Sequence, residues 1–98
     1  LTGDDKLHLK ISPDGSTWHE TLVADPGTGH LGIGTATPTV ALDVDGPVRV
    51  KSYTVATLPS AVAGAGQFIM VSDESGGPVP AFSDGTTWRR ITDRAVVS

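Results

Sequence analysis

Three groups of side chains in this 98-residue sequence have types and spacings that invite a chemical reading. The first is a pair of carboxylates, Asp43 and Asp45, which an extended chain places on one face. Acid pairs that cleave glycosides stand about 5 to 9 Å apart, a gap that positions i and i+2 of a strand can meet. Asp45, however, precedes Gly46-Pro47, where aspartate is a natural turn former, and the turn reading is preferred. The second is Ser75 in Glu74-Ser75-Gly76-Gly77-Pro78, a candidate nucleophile. A serine nucleophile needs a base and an orienting acid in fixed geometry, and no histidine stands in a comparable motif. A Ser-Gly-Gly hairpin turn explains the same residues. The third is the set His8, His19 and His30, each without a second ligand at i+2 or i+4. In a trimer one histidine per chain can converge on the axis and hold a metal or an anion; otherwise these are exposed strand histidines. Gly29, Gly32 and Gly34 do not form G-x-G-x-x-G, and no phosphate-loop Lys-Ser/Thr follows them. No catalytic residue, metal site or cofactor is assigned.

Binding is a better prospect than catalysis. Trp18 and Trp88 each follow a turn, and Trp88 precedes Arg89-Arg90. An exposed tryptophan beside an arginine can stack on a sugar ring or grip an acidic glycan. Trp88, Arg89, Arg90 and Trp18 are therefore the ligand-binding candidates. A tryptophan just after a hairpin turn also plugs a small core well. With only five aromatic residues in the chain, the core or interchain role is favoured. Arg89 and Arg90 point to opposite faces of a strand, so at most one lies beside the tryptophan. The other pairs with Asp84, Asp93 or a neighbouring subunit, or is solvated.

The elements that position these residues read as short strands and turns. Leu7, Leu9 and Ile11 alternate with His8 and Lys10, the pattern of a half-buried strand. Pro13-Asp14-Gly15 is a turn, and residues 17–23 return as a strand carrying Trp18. Residues 30–34 are a Gly-rich strand, and Val40, Leu42 and Val44 mark another. Residues 48–51 alternate apolar and basic, and residues 53–58 extend further. Residues 60–66 hold one helical turn at most, because two glycines weaken it. Residues 68–71 read as a strand buried on both faces. Residues 79–82, the Asp84-Gly85 turn and residues 87–92 complete a three-stranded meander, and residues 94–98 read as a loose end. One device recurs: Ser12-Pro13-Asp14-Gly15-Ser16-Thr17-Trp18 parallels Phe82-Ser83-Asp84-Gly85-Thr86-Thr87-Trp88. The fold class expected is all-β, with short antiparallel hairpins and a C-terminal meander.

Composition narrows the function. The 12 Gly and 7 Pro punctuate the whole chain, which suits tight turns rather than disorder. Cysteine is absent, which removes disulfides and thiolate metal sites, and no asparagine offers a glycosylation acceptor. A net charge of −4 argues against a grip on nucleic acid or anionic lipid. No apolar stretch is long enough to insert in a bilayer as a helix. The chain starts at Leu1 rather than Met, so a piece of a longer polypeptide is expected; the N-terminus lacks a signal-peptide pattern, so either synthesis in the cytoplasm or an export signal outside these residues is expected.

Two stretches carry a resemblance. His30-Leu31-Gly32-Ile33-Gly34-Thr35-Ala36-Thr37-Pro38, followed by Ala41-Leu42-Asp43-Val44-Asp45-Gly46, resembles a "VGIGT-x-x-P…LDV-x-G" segment common in phage tail fibres. Tyr53-Thr54-Val55-Ala56-Thr57-Leu58-Pro59, with residues 71–77 and 82–90, is similar to the C-terminal end of phage and gene-transfer-particle tail proteins. Together these cover roughly residues 5–98. The resemblance implies a homotrimeric fibre tip on a virion, meeting a host cell-surface glycan or protein, with no catalytic motif to carry over. It divides the chain into an N-terminal hairpin (1–29), a fibre segment (30–52) and a meander tip (53–98). Gly32 and Gly34, spaced by two, would let three backbones approach an axis while Leu31 and Ile33 fill the opposite face. The alternative is a bulge or bend within one chain. Leu31, Gly32, Ile33, Gly34, Leu42 and Val44 are the candidate trimer-packing residues. Alternative functions are a purely mechanical trimerisation module and a fragment of a polysaccharide-degrading tailspike.

Overall fold

The computed structural model describes residues 5–98, and the chain divides into two compact units, Leu1–Val48 and Arg49–Ser98. Both are all-β. In the first unit β1 (Leu7–Ile11), β2 (His19–Ala24), β3 (Leu31–Ile33) and β4 (Leu42–Val44) form one four-stranded sheet in that order. In the second, β5 (Ser52–Tyr53), β6 (Phe68–Val71), β7 (Val79–Ser83) and β8 (Trp88–Arg90) form another. Single 3₁₀ turns at Val55–Thr57 and Ala61–Ala63 are the only helical structure among the described residues. No helix there is long and apolar enough to cross a membrane.

The sheets are mixed, which corrects the expectation of antiparallel hairpins throughout. The hairpins β1–β2, β6–β7 and β7–β8 are antiparallel, as is β2–β3, but β3–β4 and β5–β6 are parallel. The reason is the connections. Parallel partners need a crossover rather than a tight turn. Residues 34–41 and the two 3₁₀ turns supply those crossovers. The β2–β3 pairing also joins the expected segments 1–29 and 30–52 in a single sheet, and the division between units falls after Val48. Residues 47–51 form no strand: Pro47 has no N–H to give a ladder.

The second unit closes a core of its own. Ala61, Ile69, Val71, Val79, Ala81, Trp88 and Val97 are buried together, with Tyr53, Val55 and Leu58 packed against them. Strand β6 is buried on one face only. Ile69 and Val71 point inward while Phe68 is exposed and Met70 half-buried, so the expectation of burial on both faces fails. Only one layer, the chain's own turns and C-terminal segment, lies over this sheet. The C-terminal residues are not loose. Val97 is buried, its N–H donates to the Trp88 carbonyl at 3.0 Å, and Arg90 N–H donates to the Ala95 carbonyl at 2.8 Å. Val97 supplies apolar area that the core needs, which ties down a terminal segment expected to be loose.

The first unit is different. Val23 is its one buried large apolar side chain among the described residues. Gly32 pairs with Val23 on the same face, and the backbone of Thr35 folds back over Gly32 so closely that any Cβ there would collide. Pro38 in the same connection is buried, and Lys6 Nζ donates to the Ala36 carbonyl at 2.9 Å. The crossover thus seals one face of the sheet.

Candidate interaction surface

The other face of the first sheet is continuous and apolar. Register pairs Leu7 with Ala24, Leu9 with Leu22, Leu22 with Ile33, Ala24 with Leu31, Leu31 with Leu42 and Ile33 with Val44. Paired residues share a face, so these eight side chains form one surface without a charge on it. Leu7, Leu9, Ile33 and Leu42 remain 54, 49, 37 and 58 % exposed, and the remaining four are half-buried. Alternation along β1 adds Ile11, also exposed. The half-buried strand expected for Leu7, Leu9 and Ile11 is therefore uncovered on its apolar side, because the crossover lies on the opposite face. Contiguous apolar patches of several hundred Å² mark interaction sites on soluble proteins.

Four of the six candidate trimer-packing residues, Leu31, Ile33, Leu42 and Val44, lie together on this surface. Gly32 and Gly34 do not. Gly32 is buried on the opposite face under Thr35. Gly34 lies beyond the strand with φ +78°, in the turn toward Asp45, whose N–H donates to the Ile33 carbonyl at 2.9 Å. Both glycines are accounted for by a bend inside one chain.

The two copies of the Asp-Gly-Trp device fold alike. Asp14 Oδ1 accepts the N–H groups of Ser16 and Thr17 at 2.8 Å each, and Asp84 Oδ1 accepts those of Thr86 and Thr87 at 2.8 Å each. Gly15 and Gly85 follow with φ +77° and +92°, a region that disfavours any side chain. The N–H groups of Thr17 and then Ser16 hold the Asp14 carboxyl below the usual carboxylate range. The Thr87 N–H and the Arg89 side chain do the same for Asp84, more strongly.

What the turns deliver differs. Trp88 is 5 % exposed, and its indole N–H donates to the Pro59 carbonyl at 2.7 Å. It is a core plug and has no face left for a sugar, so its candidacy as a ligand contact is withdrawn. Trp18 is 59 % exposed, and its indole has no acceptor among the described residues. Arg89 and Arg90 take opposite faces as expected. Arg89 Nε donates to Asp84 Oδ2 and its Nη1 to the Arg94 carbonyl at 3.0 Å. Arg90 Nη1 donates to Glu74 Oε1 at 3.0 Å, while its Nε and Nη2 grip Asp93 at 3.0 and 2.9 Å. Trp18 belongs to the first unit and the other three candidates to the second, where the two arginines are already committed to carboxylates.

Glu74 is the residue that sequence reasoning missed. It is 4 % exposed and collects four donors: Ser98 N–H at 2.6 Å, Ser75 Oγ at 3.0 Å, Arg90 Nη1 at 3.0 Å and Gly76 N–H at 3.3 Å. The Ser98 N–H is the main reason its carboxyl drops to about 2, against the opposing effect of burial. Ser75 is spent on this carboxylate and on Ser98 Oγ at 3.1 Å, an arrangement of a turn. Asp43 likewise accepts from Thr39, at 2.9 Å from its N–H and 3.1 Å from its hydroxyl. His8 Nδ1 lies 2.6 Å from Glu20 Oε1, and His30 Nδ1 lies 3.3 Å from the Pro38 carbonyl. No group of three metal-ligating side chains comes together among the described residues. Neither a family model, nor a curated protein, nor a solved structure matches this chain.

Proposed function

We propose that this chain is a distal, structural and receptor-binding part of a phage-type tail fibre, working as a homotrimer on a virion. Attachment to a bacterial surface glycan or protein is multivalent, so that several weak contacts give avid binding without a strong individual site. The observation that carries this reading is the open apolar face of the first sheet. A sheet buries its apolar face against another layer. Here the β3–β4 crossover folds onto the opposite side, and of the eight apolar residues on the open face four are exposed and four half-buried. Identical neighbours related by an axis supply that layer and remove exposed strand edges together. The glycine-rich motif at residues 30–46 lies in the same sheet and supports the fibre reading through its resemblance.

The test has two parts. Light scattering on the purified chain at micromolar concentration is expected to give three times the chain mass. The assembled protein is then expected to adsorb to cells of some members of a bacterial strain panel. A single-chain mass at all accessible concentrations overturns the proposal.

A second reading, a trimerisation module with no ligand of its own, is favoured by one observation. Trp88 is buried, and Arg89 and Arg90 are both held by carboxylates, so these three ligand-binding candidates are engaged within the second unit. A trimer that adsorbs to no strain in the panel selects this reading.

A further inference from the structure

We infer that the tip of the β1–β2 hairpin is the glycan contact of this chain, with the Trp18 ring as the platform for a neutral hexopyranose. The inference rests on the receptor-binding reading above and names the site and the class of receptor. Residues 13–19 are all exposed. Trp18 is 59 % exposed, and its indole N–H meets no acceptor among the described residues. The Ser16 and Thr17 hydroxyls and the His19 ring make no hydrogen bond there either. Asp14 spends only Oδ1 on the turn, and its Oδ2 accepts nothing among the described residues. The second unit shows that a related turn can use such groups internally. There the Thr87 hydroxyl and Arg89 Nε both donate to Asp84 Oδ2, and Trp88, which stands within β8, donates to the Pro59 carbonyl. Trp18 instead precedes its strand, and the fold of the first unit uses neither the ring nor the hydroxyls beside it.

The chemistry of the tip suits a sugar ring. The C–H face of a hexopyranose is apolar with weakly positive hydrogens, and the face of an indole is negative, so the two stack. Small-molecule sites combine such a surface with a few polar groups that fix orientation. Residues 14–19 offer two hydroxyls, an indole donor, an imidazole and a carboxylate oxygen in one exposed stretch. The backbone beneath them is fixed before any ligand arrives. Ser12 Oγ accepts the Gly15 N–H at 2.8 Å, and Asp14 Oδ1 accepts the Ser16 and Thr17 N–H groups at 2.8 Å each, so little freedom is lost on binding. Charge selects a neutral sugar. Asp14 is the one ionised side chain among residues 11–18, and a carboxylate accepts from sugar hydroxyls but repels an acidic sugar. One ring per chain is a weak site, and its repetition in the trimer makes attachment avid.

The probe for the test is polysaccharide hydrolysed from the strains to which the protein adsorbs, separated by anion exchange into neutral and acidic oligosaccharides. Adding the neutral fraction is expected to move tryptophan emission to shorter wavelength and to reduce acrylamide quenching. Trp88 is already buried, so the change reports Trp18. Trp18→Ala is expected to weaken binding of the neutral fraction about tenfold or more, the scale of an aromatic anchor. Its mass by light scattering is expected to match that of the wild type. Trp18→Phe, which keeps an aromatic face, is expected to retain part of the affinity. Undiminished binding by Trp18→Ala overturns this inference and leaves the fibre reading standing, as does binding confined to the acidic fraction. Loss of assembly in Trp18→Ala assigns the ring to subunit packing and also overturns it. A wild-type trimer that adsorbs to no strain removes the receptor reading and this inference together.

Discussion

The two Asp-Gly-Trp turns share one hydrogen-bonding pattern in different surroundings. Each fixes its turn with one aspartate oxygen and a glycine at positive φ. In the second unit the tryptophan enters a core that also holds Val71 and Ala81 with no measurable exposure. In the first it enters solvent. Local sequence therefore builds the hairpin, while the fate of its aromatic depends on whether a distant segment supplies a wall. The same contrast runs through the units as wholes: one sheet is closed by its own chain, and the other keeps its apolar face open.

The comparison can be broken most forcefully at the tryptophans. Trp88→Ala is expected to cost about 3–5 kcal/mol of the second unit's stability, as large-to-small changes in cores do. Trp18→Ala is expected to leave stability at high dilution within about 0.5 kcal/mol, as exposed sites do. Urea unfolding of both variants at submicromolar concentration measures the difference, and equal losses would end the distinction between the hairpins. Next in size, Val71→Ala should cost about 2 kcal/mol at any concentration. Leu9→Ala should cost little when dilute and more as the protein associates, since its side chain gains neighbours only on assembly.

Acid sharpens the contrast through Glu74. Its carboxyl is lowered from 4.5 to about 2 in the folded chain, above all by the Ser98 N–H. The unfolded chain then takes up the proton first as pH falls. The stability from this group is thus full above about pH 4.5 and is lost on the way down to about pH 2. Melting temperatures between pH 6 and pH 2.5 should fall for the wild type and fall less steeply for Glu74→Gln, which begins from a lower value. Asp84, whose carboxyl is also lowered, adds a contribution of the same sign that both proteins share. A control tests the device itself. Gly15→Ala and Gly85→Ala should each cost about 1 kcal/mol, because each forces a side chain into the left-handed region. Markedly unequal costs in urea titrations would show that the turns are less alike than their hydrogen bonds.

Sequence pattern located most of the strands because alternation and Asp-Gly or Gly-rich turns are local signals. It placed β1, β3, β4 and the β6–β8 meander close to their observed spans. What it could not give was direction and cover. Whether β4 lies parallel or antiparallel to β3 depends on how residues 34–41 cross, and no single residue type encodes that. The apolar alternation of Leu7, Leu9 and Ile11 correctly marked a face that prefers burial, yet could not say that the chain itself leaves it bare. Burial of Glu74 was invisible for another reason. Its four donors come from residues 75, 76, 90 and 98, and only folding gathers them. Trp88 was correctly favoured as a core residue, and its pairing with Pro59 spans 29 positions that no local rule links.

The parallel crossovers also set an order of events. Hairpins such as β6–β7 close through near-neighbour contacts, whereas joining β5 to β6 requires the intervening stretch with both 3₁₀ turns to loop round first. Loop closure is an entropic toll levied before any contact forms. The meander should therefore zip early, with β5 docking last, and the time course of refolding should be governed by that late arrival rather than by the turns.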